Sequence, residues 1–87
     1  MFVIEDDEKN RFIIVSNLTS INIKYQGLVG LDKYAIVGKS GDIDILSIFG
    51  FTKHEAEFAY NFIKNNLTIE KHYLKSEFYS MVKSSIA

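Results

Sequence analysis

The 87-residue chain is long enough for one small domain, and with 47% hydrophobic residues, seven Phe and five Tyr it is too apolar to be disordered. Its formal net charge of −1 argues against the concentrated basic surface that general nucleic-acid binding requires. The absence of cysteine excludes disulfides, thiolate metal sites and a cysteine nucleophile, and it favours a reducing, cytoplasmic location.

The first residues predict a β-hairpin with a polar tip. The runs "MFVIE" and "RFIIVS" are rich in β-branched and aromatic residues, and the linking "DDEKN" carries the densest charge of the chain. We interpret the acidic cluster from Glu5 to Glu8 as a solvated turn that discourages edge pairing, and not as paired catalytic carboxylates. The acidic start is unlike a secretion signal, and no apolar run approaches the roughly 20 residues of a membrane span.

Three further strands are predicted before residue 52. In "SINIKYQGL" apolar Ile21, Ile23 and Tyr25 alternate with polar residues, which is the pattern of a strand with one solvated face. A loop, "VGLD", leads into "KYAIVG", and the tight turn "KSGD" precedes the last strand, "DIDILSIFGF". The apolar parity changes within that strand, which predicts a bulge or twist between Ile45 and Ser47, or burial of both faces.

Short stretches that are similar to catalytic motifs lack essential positions. "GKSG", starting at Gly38, is similar to the end of a phosphate-binding loop, but Lys33 stands where the first glycine is needed and a strand pattern replaces the helix. "HEAEF" lacks the second histidine of a zinc-peptidase motif, because Phe58 occupies its place. The sequence therefore predicts no cofactor, no metal site and no enzymatic activity.

From residue 52 the hydrophobic period becomes helical. Thr52 and Glu55 predict a capping box, and the helix over 52–67 places an apolar stripe centred on Ala56 toward the sheet. The members of that stripe are Ala56, Ala59, Tyr60, Ile63 and Leu67. The helix should fray at its two consecutive asparagines.

Residues 68–87 predict a C-terminal helical segment. Apolar side chains recur there at helical spacing, and the pattern leaves open whether the helix begins near Ile69, capped by Thr68, or near Glu77, capped by Ser76.

Together these elements predict one α+β domain over residues 1–87. We expect residues 1–51 to form a curled antiparallel sheet of four to five strands in meander order. One helix, over 52–67, packs on this sheet, and a second helix lies at the C-terminus.

The order of these motifs resembles a group of short uncharacterised proteins of low-GC Gram-positive bacteria and their phages. Residues 12–66 carry the resemblance through "NLTSINI", "KYAIVGKSGDIDIL" and the capped "FTKHEAEFAYNFI". The resemblance implies a β-meander followed by a helix, and it transfers no catalytic residue because the shared motif is architectural. This chain departs from the pattern at Lys39 and Ser40 before the turn glycine, and in having "HEAE" where two adjacent glutamates are usual.

The candidate interface consists of four aromatic residues of the helical region: Phe58, Phe62, Tyr73 and Tyr79. Phe58 and Phe62 lie about 200° and 240° around the helix from Ala56, well outside the stripe that covers the sheet. One alternative is that the C-terminal helix covers them. The residues available for this are Leu74, Phe78 and Val82. The other alternative is that they stay exposed as anchors for a protein partner.

We therefore expect a small non-enzymatic protein-binding module. It would be either a phage or mobile-element inhibitor of a host protein or a domain that self-associates as a homodimer. The alternative is nucleic-acid binding by a local basic surface on the helices, with Tyr73 or Tyr79 stacking on bases. The lysines of that surface are Lys53, Lys64, Lys71, Lys75 and Lys83.

Overall fold

A computed structural model describes residues 1–27 and 33–86 of the chain. The strands in this part are β1 (Phe2–Asp6), β2 (Arg11–Ile14), β3 (Ser20–Tyr25), β4 (Tyr34–Ser40), β5 (Ile43–Phe51) and β6 (Lys71–Leu74). The helices are α1 (Lys53–Asn65) and α2 (Lys75–Ile86), and a short 3-10 turn covers Val15–Asn17. The predicted loop "VGLD" falls outside the described residues.

The described strands form two three-stranded sheets. Sheet 1 has the order β2-β1-β6, with β1 antiparallel to β2 and parallel to β6, and sheet 2 has the antiparallel order β3-β4-β5. The α+β class with two helices is confirmed, whereas the single meander of four to five strands is not. The 3-10 turn after β2 separates the N-terminal hairpin from β3, and β6 returns to pair with β1 instead.

The C-terminal segment contains a strand that the helical pattern did not predict. Strand β6 pairs with β1, and α2 follows it directly from Lys75, close to the later of the two predicted helix starts. The Glu77 carboxylate accepts a hydrogen bond from the backbone N–H of Leu74 at 2.9 Å. This bond satisfies a donor that the start of a helix leaves without a backbone partner.

Both sheets and both helices contribute to one hydrophobic core. Helix α1 buries Ala56, Ala59 and Ile63 fully, which confirms the centre of the predicted stripe, while Tyr60 is half-buried and Leu67 lies beyond the end of the helix. The remaining buried members are Phe2, Ile4, Ile13, Val15, Ile36, Leu46, Ile48, Phe51, Phe78 and Val82. Burial of this apolar surface holds the two sheets together.

Helix α1 begins at the predicted capping box. The Thr52 hydroxyl accepts from the backbone N–H of Glu55 at 3.2 Å, and the Glu55 carboxylate accepts from the backbone N–H of Thr52 at 2.8 Å. The helix ends at Asn65, and the side-chain amide of Asn66 donates to the carbonyl of Phe62 at 2.7 Å. The two asparagines therefore end the helix, as their low helix propensity predicts.

The N-terminal hairpin has the predicted polar tip, but its acidic cluster is not wholly solvated. Asp6 is buried, and its Oδ1 atom accepts from the backbone N–H groups of Glu8 and Lys9 at 3.2 and 3.3 Å. The ammonium of Lys75 lies 3.8 Å from the same oxygen atom. The interpretation of this cluster as an entirely solvated turn is wrong for Asp6, because the start of α2 packs beside the turn.

The stretch "GKSG" ends β4 and enters a tight turn, as predicted. Gly41 has a φ of +63°, and its backbone N–H donates to the Thr19 hydroxyl at 2.8 Å. On the strands that flank this turn, Gly38 pairs with Leu46 and Lys39 pairs with Asp44, so Ile45 is an extra residue in β5. The predicted bulge near Ile45 is therefore confirmed.

Gly50 lies at a second register shift in β5, between Ile48 and Phe51, and should be sensitive to substitution. Its φ is +87°, and an added Cβ would lie 3.2 Å from the hydroxyl of Tyr79. We expect Gly50→Ala to lower the free energy of unfolding by about 1–3 kcal/mol, measured by urea denaturation. Gly41→Ala is the control, since Gly41 also has a positive φ but has open space around it. Equal losses in the two variants would show that the contact with Tyr79 has no effect.

Candidate interaction surfaces

Three of the four predicted interface residues belong to one aromatic cluster. The ring centroid of Phe62 lies 6.1 Å from that of Phe2 and 6.0 Å from that of Phe78. Tyr73 lies 5.7 Å from Phe78, and Phe58 stacks on Phe62 at 6.3 Å. Helix α2 thus contacts the aromatic ridge of α1, which consists of Phe58 and Phe62, through Phe78. This agrees with the alternative in which the C-terminal helix covers these residues. Phe58, Phe62 and Tyr73 are half-buried in this arrangement.

Tyr79 lies apart from that cluster. Its ring stacks on Phe51 with a centroid distance of 5.2 Å, and its hydroxyl donates to the carbonyl of Gly50 at 3.2 Å. The ammonium of Lys83 lies 5.4 Å from the centre of the ring. Tyr79 therefore packs α2 against the end of β5.

The five lysines of the alternative nucleic-acid surface differ in their surroundings. Lys53, Lys64 and Lys71 are exposed. Lys75 is largely buried beside Asp6 and also lies near Glu8, and Lys83 donates to Glu55 at 2.8 Å. Two of the five charges thus face carboxylates of the same chain, which reduces their attraction for phosphate.

The ion pair between Glu55 and Lys83 links α1 to α2. Burial raises the pKa of Glu55, but the hydrogen bonds from Lys83 and from Thr52, together with the nearby ammonium charge, outweigh burial and hold the pKa of this carboxyl below its usual range. The Glu55 side chain is 12% exposed and that of Lys83 26%. This largely buried pair stabilises the helix packing.

Among residues 1–27 and 33–86, the most exposed large apolar residues lie on the strands, which the sequence pattern did not identify as a site. In this part of the chain, and apart from Met1, the large apolar side chains that are more than half exposed are Phe12 (66%), Tyr25 (57%), Ile43 (67%) and Phe49 (55%). The run "RFIIVS" is apolar on both faces of β2, so its composition did not show that Phe12 points away from the core. The alternation of Ile43 with polar residues did not show whether its side chain faces the core or solvent.

A shallow apolar groove lies between β2 and the β4–β5 hairpin. Its volume is about 190 Å³, and its lining includes Phe12, Ile14, Leu18, Ser40 and Ile45. Ser40, one of the lining residues, is the strand partner of the exposed Ile43. The guanidinium of Arg11 donates to the carbonyl of Ile45, which ties the two sheets together at the same place.

A second groove, of about 220 Å³, lies between the 3-10 turn, strand β3 and helix α1. Ile21, Tyr60 and Leu67 supply apolar lining, and Ser16 and Lys64 supply polar groups. It adjoins β3, most of whose residues are exposed.

The described residues show no grouped metal ligands, because no three His, Asp or Glu side chains in this part of the chain lie together as a metal ion requires. Neither α1 nor α2 is long and apolar enough to cross a membrane. A scan against protein-family models found no match, and searches of curated proteins and of solved structures found no similar chain.

Proposed function

We propose that this chain is a small non-enzymatic protein-binding module whose contact surface lies on its strands. The observation that carries the proposal is that Phe12, whose side chain is 66% exposed, lines an apolar groove together with Ile14 and Ile45. Leaving apolar area in water costs about 25 cal/mol per Å². An exposed aromatic side chain beside an apolar groove is a common feature of protein-binding sites.

The chemistry of the groove suits an apolar side chain of a partner. Its walls are mainly aliphatic and aromatic, with Asn17 and Ser40 as the polar lining residues. An interface with an apolar centre and a polar rim is the usual arrangement in protein complexes, and a single inserted anchor commonly supplies much of the binding energy. Inhibition of a host protein and self-association are both forms of this function.

Hydrogen exchange in a lysate of the encoding organism tests the proposal. We expect the backbone amides of β2 and of the β4–β5 turn to exchange at least about fivefold more slowly in concentrated lysate than in buffer, because a bound partner limits local opening. Phe12→Ser should abolish this protection. Phe49→Ser is the control, since Phe49 is similarly exposed but lines a different groove, beside Lys75 and Tyr79. Equal exchange of the wild-type protein in lysate and in buffer would contradict the proposal.

A further inference from the structure

Strand β3 provides the longest regular edge among the described strands. Sheets 1 and 2 end in β2, β6, β3 and β5. Strands β2 and β6 have four residues each, and β5 is interrupted by two register shifts, while its Ile45 carbonyl is bound by Arg11. Strand β3 has six residues in unbroken register with β4 and contains neither glycine nor proline. It therefore lacks most of the features that protect a strand edge from pairing.

The backbone groups that β3 leaves unpaired can be identified from its ladder with β4. The N–H of Gln26 donates to the carbonyl of Lys33 at 2.7 Å, and this bond continues the register in which Tyr25 opposes Tyr34. Since bonded and unbonded positions alternate in an antiparallel pair, even-numbered residues of β3 face β4. The N–H and C=O groups of Ile21, Ile23 and Tyr25 therefore point outward from the sheet.

We propose that β3 pairs antiparallel with β3 of a second copy of this chain, with Ile23 on the two-fold axis. The inference goes beyond the proposed function, because it concerns the edge of β3 and not the groove beside Phe12. In this register Ile23 opposes the partner's Ile23, and Ile21 opposes the partner's Tyr25. Each of these pairs exchanges two backbone hydrogen bonds, and all the outward-facing groups of the strand are used.

The charges and side chains of β3 are compatible with this register. Lys24 opposes the partner's Asn22, so the two lysines do not meet, whereas a register centred one residue later would place them opposite each other. Apolar side chains oppose apolar side chains on the face that carries α1, because Ile21, on the same face as Ile23, lines a groove together with Tyr60 and Lys64 of α1. The pairing joins two three-stranded sheets into one continuous sheet.

The proposed pairing brings the partner's Tyr25 close to the groove beside β3. Ile21 lines the groove together with Tyr60, Lys64 and Leu67. The partner's Tyr25 stands opposite Ile21 on the same face, which places this residue beside the groove. Tyr25 is 57% exposed and Leu67 37% exposed in the single chain, and both lose contact with water in the pair.

Opposite charges at position 23 test the register. Because residue 23 faces its own copy across the axis, Ile23→Lys and Ile23→Glu should each raise the dimer dissociation constant at least about tenfold, and an equimolar mixture of the two should restore a heterodimer. Light scattering after size-exclusion chromatography measures all three samples against the wild type. A wild-type protein that stays monomeric at about 1 mM, or a mixture that stays monomeric, overturns the proposal.

A single introduced cysteine provides a second test, which remains usable if the charged variants fold poorly. The chain contains no cysteine, so Ile23→Cys places one thiol beside that of the second copy. Opposed residues of a hydrogen-bonded pair have Cα atoms about 5.5 Å apart, within the range of disulfides. We expect mild oxidation to cross-link Ile23→Cys at least about tenfold faster than the control Phe49→Cys, since Phe49 is exposed and lies outside β3. Equal rates would overturn the register.

The two proposals fail separately. A monomeric wild-type protein overturns self-pairing only, and the protection of β2 in lysate still decides whether the groove beside Phe12 binds a partner. Conversely, Phe12→Ser should leave the dimer dissociation constant within about twofold of the wild type, because Phe12 is not on β3. A dimer lost in Phe12→Ser would show that the self-contact lies on sheet 1 and not at β3.

Discussion

Replacing Phe2 with alanine is expected to lower the free energy of unfolding by about 3–5 kcal/mol, the largest loss among the substitutions considered. Phe2 is fully buried, and its ring centroid lies 6.1 Å from those of Phe62 and Tyr73 and 6.4 Å from that of Phe78. The substitution removes the ring on which β1, β6 and both helices converge. Since small domains are stable by only about 5–15 kcal/mol, much of the stability should be lost.

Urea denaturation followed by circular dichroism measures this loss, with Phe12→Ala as the matched control. Phe12 lies in the neighbouring strand of the same sheet, but its side chain is 66% exposed on the outer face, where its ring centroid lies 5.4 Å from that of His72, so its truncation should cost no more than about 1 kcal/mol. Similar losses in the two variants would contradict the assignment of the inner and outer faces of sheet 1.

Replacing Glu55 with glutamine is expected to lower the free energy of unfolding by about 1.5–3 kcal/mol at pH 7, the usual contribution of hydrogen bonds to charged groups. Glutamine retains the shape and can still complete the capping box with Thr52, so the variant removes mainly the charge that faces Lys83. The Lys83 ammonium, which is 26% exposed, then loses its carboxylate partner. Glu57→Gln is the control, because Glu57 lies on the same helix and is exposed.

The contribution of Glu55 to the free energy of unfolding should decrease as the pH falls. The pKa of Glu55 is lowered in the folded chain, despite burial, mainly by Lys83, so the folded state binds fewer protons than the unfolded state between the two pKa values. Its contribution is therefore complete above the ordinary glutamate pKa of 4.5 and is lost as pH falls through the lowered pKa of the folded state. Denaturation series at several pH values should show the wild type and Glu55→Gln converging in acid. A difference that stays constant down to pH 3 would contradict this assignment.

Substitutions in the aromatic cluster around Phe62 are unsuitable for binding experiments on this protein. Phe62 and Tyr73 contact the fully buried Phe2 and Phe78, so substitutions at these positions are expected to change stability as well as any binding. Substitutions of Phe12 or Tyr25 leave the core intact, because both side chains are exposed. Loss of binding in those variants can therefore be attributed to the surface.

The sequence by itself determined the local features of this protein. The polar hairpin tip, the turn at Gly41, the bulge at Ile45 and the capping box of Thr52 and Glu55 all lie where the residue pattern predicts them. Each of these features depends on groups only a few residues apart, whose steric and hydrogen-bonding preferences can be evaluated without knowledge of the rest of the chain.

Only the tertiary structure decided how these local features are arranged. Strand β6 is four residues long, and its pairing depends on contacts such as that between Glu5 and Leu74, which are distant in sequence. The same return of the chain brings Lys75 beside Asp6 and divides the strands into two sheets. Local propensity could not indicate these contacts, because their free energy comes from burying surfaces of segments that meet only in the folded chain.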